Sequence, residues 1–266
     1  MSIRHYTPRR RRHGMSQRAR VTLGAVLGLT ILLQMSYPLT DGNLLRWITI
    51  ATVLVGATSM VLHAYLSYGF KYASRYLIIV ALFGYFIELL GVHTGWPFGI
   101  YEYSSTLGIS IAGVPLVVPF AWVMMVHPAL VAARRVTPKW TFIYGGALLA
   151  GWDLFLDPQM VAAGRWTWEV TGSHIPFVPD VPLSNFFGWL LAGCAITALL
   201  NLVLPFERRK ESASLRAVTL LLAWVLFSGF IGNLFFFDRP GLAFLGTAFF
   251  GAFATPFIYK NWLGEA

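Results

Sequence analysis

GWDLFLDPQMVAAGRWTWEVTGSHIPFVPDVPLSNFFGW, residues Gly151–Trp189, repeats the plan of an earlier stretch of the same chain. Asp153 sits near the end of an apolar run, Gly164 follows eleven residues later, and Trp166 and Trp168 come next. In the earlier copy Glu88 ends an apolar run, Gly99 follows eleven residues later, and Tyr101 and Tyr103 take the aromatic places. Val114-Pro115-Leu116 and Val181-Pro182-Leu183 are matching turns, each with a Trp (Trp122, Trp189) eight residues beyond its Val. The copies differ by two residues in the middle. An internal repeat predicts two equivalent structural units that meet. Here each unit brings one carboxylate and one aromatic pair to the same depth, which points to a site.

Composition sets the class. Of 266 residues 57% are hydrophobic and only 12% charged, about half the charge of an average soluble domain. Aromatic residues reach 16%, with ten Trp. The chain therefore reads as an integral membrane protein. Its single Cys, Cys194, excludes an intramolecular disulfide and argues against thiolate-held zinc or iron–sulfur clusters.

Eight apolar runs are long enough to cross the hydrocarbon core as helices: roughly 21–38, 46–67, 75–95, 114–133, 140–157, 183–204, 216–237 and 240–259. The expected fold is all-α, a polytopic membrane bundle of about eight transmembrane helices. It comprises a basic tail (1–20) and one transmembrane domain (21–260), with repeat units at about 75–133 and 140–204. The links before the third, fifth and seventh spans, together with both ends, carry 17 of the 20 basic residues; only Arg46, Arg165 and Arg239 fall on the other side. The positive-inside rule then puts both termini in the cytoplasm of an integral cell-membrane protein. The Arg-rich tail is read as a topology signal that touches anionic lipid, and no nucleic-acid partner is expected. The first span is too long and too continuous with the rest to read as a cleaved signal peptide.

Two long connections, 96–113 and 158–182, lie on the outer side and are rich in Gly, Pro and aromatics. Tyr101/Tyr103 and Trp166/Trp168 alternate as strand residues do, so two short extended or re-entrant segments should cover the mouth of the bundle. An aromatic belt at the interface accounts for Trp and Tyr as residue types, but not for their repetition at matched spacing.

Glu88 lies 13 residues beyond Arg75, and Asp153 lies 14 beyond Lys139. At 1.5 Å per residue both are roughly 20 Å from the cytoplasmic face. Asp157 follows Asp153 by four residues and shares its helix face. A lone carboxylate at such a depth costs roughly 2.5–3.5 kcal/mol to insert, and it marks function by default. The competing readings are a structural hydrogen bond or ion pair for Glu88 and Asp153, and a helix-end residue for Asp157. Arg46, Arg165, His93 and His174 are the only nearby cations. Carboxyl groups sharing one apolar site can divide into an acid and a base. Trp and Tyr faces stabilise cations. Together these suit protonation of a nonpolar alkene to a tertiary carbocation, followed by water capture, proton loss or ring closure.

Metal chemistry has little support. The six His show no i, i+3 or i+4 pair, and no HExxH run occurs. Asp153 and Asp157 are spaced like the magnesium-binding pairs of prenyltransferases, but the full acidic motifs are missing. Phosphate loops and dinucleotide fingerprints are also missing. No metal and no cofactor are expected. His127 reads as a hydrogen-bonded core residue, and Gly145, Gly146 and Gly151 as points of close helix packing.

The stretch Gly91–Trp122, GVHTGWPFGIYEYSSTLGISIAGVPLVVPFAW, and the stretch quoted at the outset resemble the integral-membrane carotenoid 1,2-hydratases, the family of gamma-carotene 1'-hydratase and bisanhydrobacterioruberin hydratase. The resemblance runs over about residues 45–260. It implies cofactor-independent addition of water to the terminal double bond of an acyclic carotenoid end group, giving a tertiary alcohol. It also implies a lipid-soluble carotenoid substrate, with other enzymes of the carotenoid pathway as candidate partners. The roles that follow come from the residues and not from the family. Asp153 is the first choice of general acid, Glu88 its partner on the water, and Asp157 the group that tunes Asp153. Trp152, Trp166, Trp168, Tyr101 and Tyr103 shape the pocket and stabilise the cation. Asn185 either holds the water or caps the sixth helix. Glu102 and Glu169 point away into solvent. Two other readings stay open: a membrane-bound isoprenoid cyclase or isomerase on the same site, and a non-enzymatic transporter or lipid-binding subunit.

Overall fold

The structure, a computed structural model, describes residues 15–204 and 214–262. Residues 1–14 of the basic tail, with His5 and His13, and the Arg208-Arg209-Lys210 cluster lie outside the described residues. The helices are α1 (Gln17–Ser36), α2 (Gly42–Tyr68), α3 (Phe70–Thr94), α4 (Val118–Val136), α5 (Thr141–Ala162), α6 (Leu183–Val203), α7 (Arg216–Phe235) and α8 (Pro240–Trp262). Short strands fill the long links: β1 (Tyr101–Tyr103), β2 (Ser110–Ile111) and β3 (Val114–Pro115) before α4, then β4 (Trp166–Trp168), β5 (His174–Ile175) and β6 (Val178–Pro182) before α6.

Every helix but α4 and α5 is long and apolar enough to cross a membrane. Those two form the middle of the bundle and are buried over most of their length. They face protein rather than lipid, so they tolerate polar groups such as Asp153, Asp157 and His127 along their length. The fold is thus the expected all-α membrane bundle. The third helix starts at Phe70, earlier than its apolar run suggests, because Gly69 alone separates α2 from α3. Its φ of 94° lies where only glycine is relaxed, so the chain reverses in one residue. The fourth helix starts later than expected, because Val114 and Pro115 pair with Ile111 and Ser110 in a hairpin.

Packing around α5 fixes the centre. A Cβ on Gly146 would lie 2.8 Å from the backbone N of Cys194, and one on Gly193 would lie 2.9 Å from the Cα of Gly146. These glycines let α5 and α6 approach backbone to backbone, the usual means of helix association in lipid.

The two repeat units meet as two-fold partners do. β1 and β4 are antiparallel, with Tyr101 opposite Trp168 and Tyr103 opposite Trp166. Tyr101 corresponds to Trp166 in the repeat and Tyr103 to Trp168, so each contact recurs with the units exchanged. Trp122 and Trp189, the matched tryptophans of α4 and α6, stack against each other.

Candidate active site

Glu88 projects from the last third of α3 and is 3% exposed. Its Oε2 accepts hydrogen bonds from the hydroxyls of Tyr101 (2.6 Å) and Tyr103 (2.8 Å), and its Oε1 accepts one from Trp122 Nε1 (3.0 Å). The alternation of β1 explains part of this: Tyr101 and Tyr103 share the inner face, while Glu102 between them is exposed. Burial, and the neighbouring Glu88 carboxylate, push both phenols above their usual range, which keeps them as neutral O–H donors.

The second unit is built differently. Asp153 and Asp157 stand one turn apart on α5 and are 1% and 2% exposed. Asn185, in the first turn of α6, donates one N–H to Asp153 Oδ2 (2.9 Å) and the other to Asp157 Oδ2. Its amide therefore joins the two carboxylates and does not cap α6. Asn185 Oδ1 and Asp153 Oδ1 are buried acceptors without a hydrogen-bond partner. Trp166 faces Asp157 from β4, with its indole N–H short of a regular hydrogen bond.

Glu88 and Asp157 are close enough to act on each other electrostatically. Both line one cavity of about 410 Å³, together with Asn185 and the rings of Tyr101, Tyr103, Trp122, Trp152, Trp166, Trp168 and Trp189. Trp152 meets Trp189 edge-on, with centroids 5.7 Å apart. Of the nine residues given a role in the site from the sequence, all but Asp153 line this cavity, and Asp153 is tied to it through the Asn185 amide. Cations contribute little. Among the described residues none bonds to the three acids: His93 turns to the carbonyl of Leu89 (2.9 Å), and His174 to that of Ile175 (3.0 Å). Arg165 is buried with Nε unpartnered.

Comparison with known proteins fits this geometry to a family. A family model described as "Carotenoid biosynthesis protein" matches residues 48–253, which include every residue of the site named above. The chain belongs to that family. It is 33% identical over 171 residues to the bisanhydrobacterioruberin hydratase of Haloarcula japonica, a match over 60% of this chain and 56% of that protein. The chain thus spans little more than half the length of this curated relative. No solved structure matches the chain.

Within this family member several features escape a sequence reading. Trp122 and Trp189 are wall residues, and Trp122 also binds Glu88. Their matched place in the repeat was the signal for both. Gln34, Tyr37 and Trp224, from α1, its one-turn 3-10 extension (Tyr37–Leu39) and α7, line the cavity from outside the repeat. His127 is a fully buried core residue and faces His63, Nε2 to Nδ1 at 2.8 Å. No group of three or more His, Cys, Asp or Glu among the described residues has metal-holding geometry.

Proposed function

We propose that the chain is a carotenoid hydratase, adding water to the terminal double bond of an acyclic carotenoid end group without a cofactor. The observation that carries this reading is the contrast between two carboxylate sites facing one aromatic cavity. Glu88 is met by three donors, an arrangement suited to an anion. Asp153 and Asp157 share one amide with no cation beside them, an arrangement suited to a pair that holds one proton between them.

Asp157 is the acid, because it faces the cavity and Asp153 does not. Its proton forms the new C–H bond at the inner carbon of the double bond, the one that bears a hydrogen, using the π electrons and leaving the outer carbon, with its two methyl groups, electron-deficient. The positive charge left on the tertiary carbon is stabilised by the tryptophan faces and by the Glu88 carboxylate. A water held by the unpartnered Asn185 Oδ1 forms the C–O bond, and its surplus proton returns to the aspartate pair. Asp153 then tunes and reloads Asp157, the reverse of the order expected from the sequence. Ring closure and proton loss compete from the same cation, and a positioned water decides the outcome.

We place both termini in the cytoplasm on the positive-inside rule. Arg75, Arg134, Arg135, Lys139 and Arg216 all lie at the helix ends away from the cavity.

The test is co-expression with a pathway making an acyclic carotenoid, reading pigment mass by chromatography. A product heavier by one water, lost in Asp157→Asn, is expected. An unchanged mass with a shifted absorption spectrum would sink hydration in favour of cyclisation or isomerisation.

A further inference from the structure

The cavity has two unlike ends. Around Glu88, Asp157 and Asn185 its wall is closed, with Phe98, Tyr101 and Trp122 all buried. Its far wall is made by α1, the turn Tyr37–Leu39 and α7. There the lining residues Met35, Leu39, Phe227 and Phe236 are themselves 51%, 73%, 57% and 52% exposed. A side chain that lines a cavity and is also half exposed marks where the cavity meets the outside. Both α1 and α7 are long and apolar enough to cross a membrane, so the outside along this seam is hydrocarbon. Two side-chain contacts bridge it: Trp224 Nε1 donates to Gln34 Oε1 (2.5 Å), and the Tyr37 and Phe237 rings meet edge-on at 6.1 Å.

From this geometry we infer that the seam between α1 and α7 is a lateral mouth. One end of a rod-like polyene enters through it from the lipid, and the Gln34–Trp224 hydrogen bond is its latch. The inference rests on the hydratase reading for the identity of the ligand. A pocket of this size encloses a drug-sized molecule, whereas a carotenoid is a rod about as long as the hydrocarbon core is thick, roughly 30 Å. The end group reaches the carboxylates while the rest of the polyene stays in the bilayer. Each binding event therefore presents one end only, and a carotenoid with two reactive ends must leave and rebind to react twice.

The experiment pins the mouth shut. Tyr37→Cys and Phe237→Cys are combined in a Cys194→Ala background, and the two thiols are bridged with a short, reducible bis-thiosulfonate linker. The protein is mixed with vesicles carrying an acyclic carotenoid, re-isolated, and its bound pigment and any hydrated product are measured. Bridging is expected to cut pigment uptake roughly tenfold or more, and reductant to restore it. Gln34→Leu in the otherwise natural chain is expected to speed uptake. Bridged protein that loads pigment as fast as unbridged protein overturns the mouth, as does a natural chain that takes up none. Uptake that depends on the bridge but yields no hydrated product overturns the hydratase reading and leaves the mouth standing. With a symmetric carotenoid, free singly hydrated product should precede the doubly hydrated one; doubly hydrated product without it overturns one-end entry.

Discussion

Trp122 and Trp189 stack face to face, ring centroids 4.2 Å apart and planes 9° from parallel. The pair ties α4 to α6 at the matched positions of the two repeat units. It also forms a continuous aromatic floor between Glu88, which Trp122 holds through its N–H, and the Asp153–Asp157 side, which Trp152 reaches through its edge contact with Trp189. Trp189→Leu removes the stack. Aromatic pairs contribute roughly 0.5–1.5 kcal/mol beyond their buried area, so a lower midpoint of thermal unfolding in detergent is expected, along with reduced hydration.

Asp157→Asn keeps the shape of the pair but removes the transferable proton facing the cavity. General acid catalysis is worth roughly 10²–10⁴-fold, and a loss in that range is expected in the initial rate of hydrated pigment formation. Asp153→Asn should cost less than Asp157→Asn. The opposite ranking would return the acid role to Asp153.

Tyr101→Phe and Tyr103→Phe each remove one donor from Glu88 Oε2. A hydrogen bond to a charged group is worth roughly 1.5–3 kcal/mol, so each variant should unfold at lower temperature and the double variant should lose nearly all activity. Glu102→Gln is the control: its side chain is exposed, and neither stability nor rate should change.

Gly146→Ala tests the helix contact behind the site. The added methyl would sit 2.8 Å from the backbone N of Cys194 and 2.9 Å from the carbonyl oxygen of Leu190. Backbone cannot yield as a side chain does, and overpacking of this kind costs roughly 1–3 kcal/mol. A matched Gly28→Ala substitution on α1, where nothing lies within 4 Å, should be tolerated.

Much of this molecule is legible in its sequence. The apolar runs give the eight helices, and Tyr-x-Tyr and Trp-x-Trp give the inner faces of β1 and β4. The acids stand out because carboxylates in apolar helices are costly. What the sequence does not carry is how the helices rotate. Asp153 and Asp157 share a helix face, but which of them reaches the cavity depends on the tilt of α5 against α6, set where Gly146 meets Gly193. Gln34 and Trp224 are 190 residues apart, and His63 and His127 are 64 apart. No local periodicity announces partners that only the folded chain brings together.

The β1–β4 ribbon has a consequence for how such a site could arise. Its contacts are the same when the two halves are exchanged, so two copies of one half could form it equally well. Such an assembly would hold two identical acids, each with the same donors, and acid and counter-charge would be interchangeable. With both halves in one chain, each side can differ: one holds its carboxylate under two tyrosines and a tryptophan, and the other holds two aspartates joined by an asparagine. Covalent fusion is what allows a symmetric frame to hold an asymmetric charge.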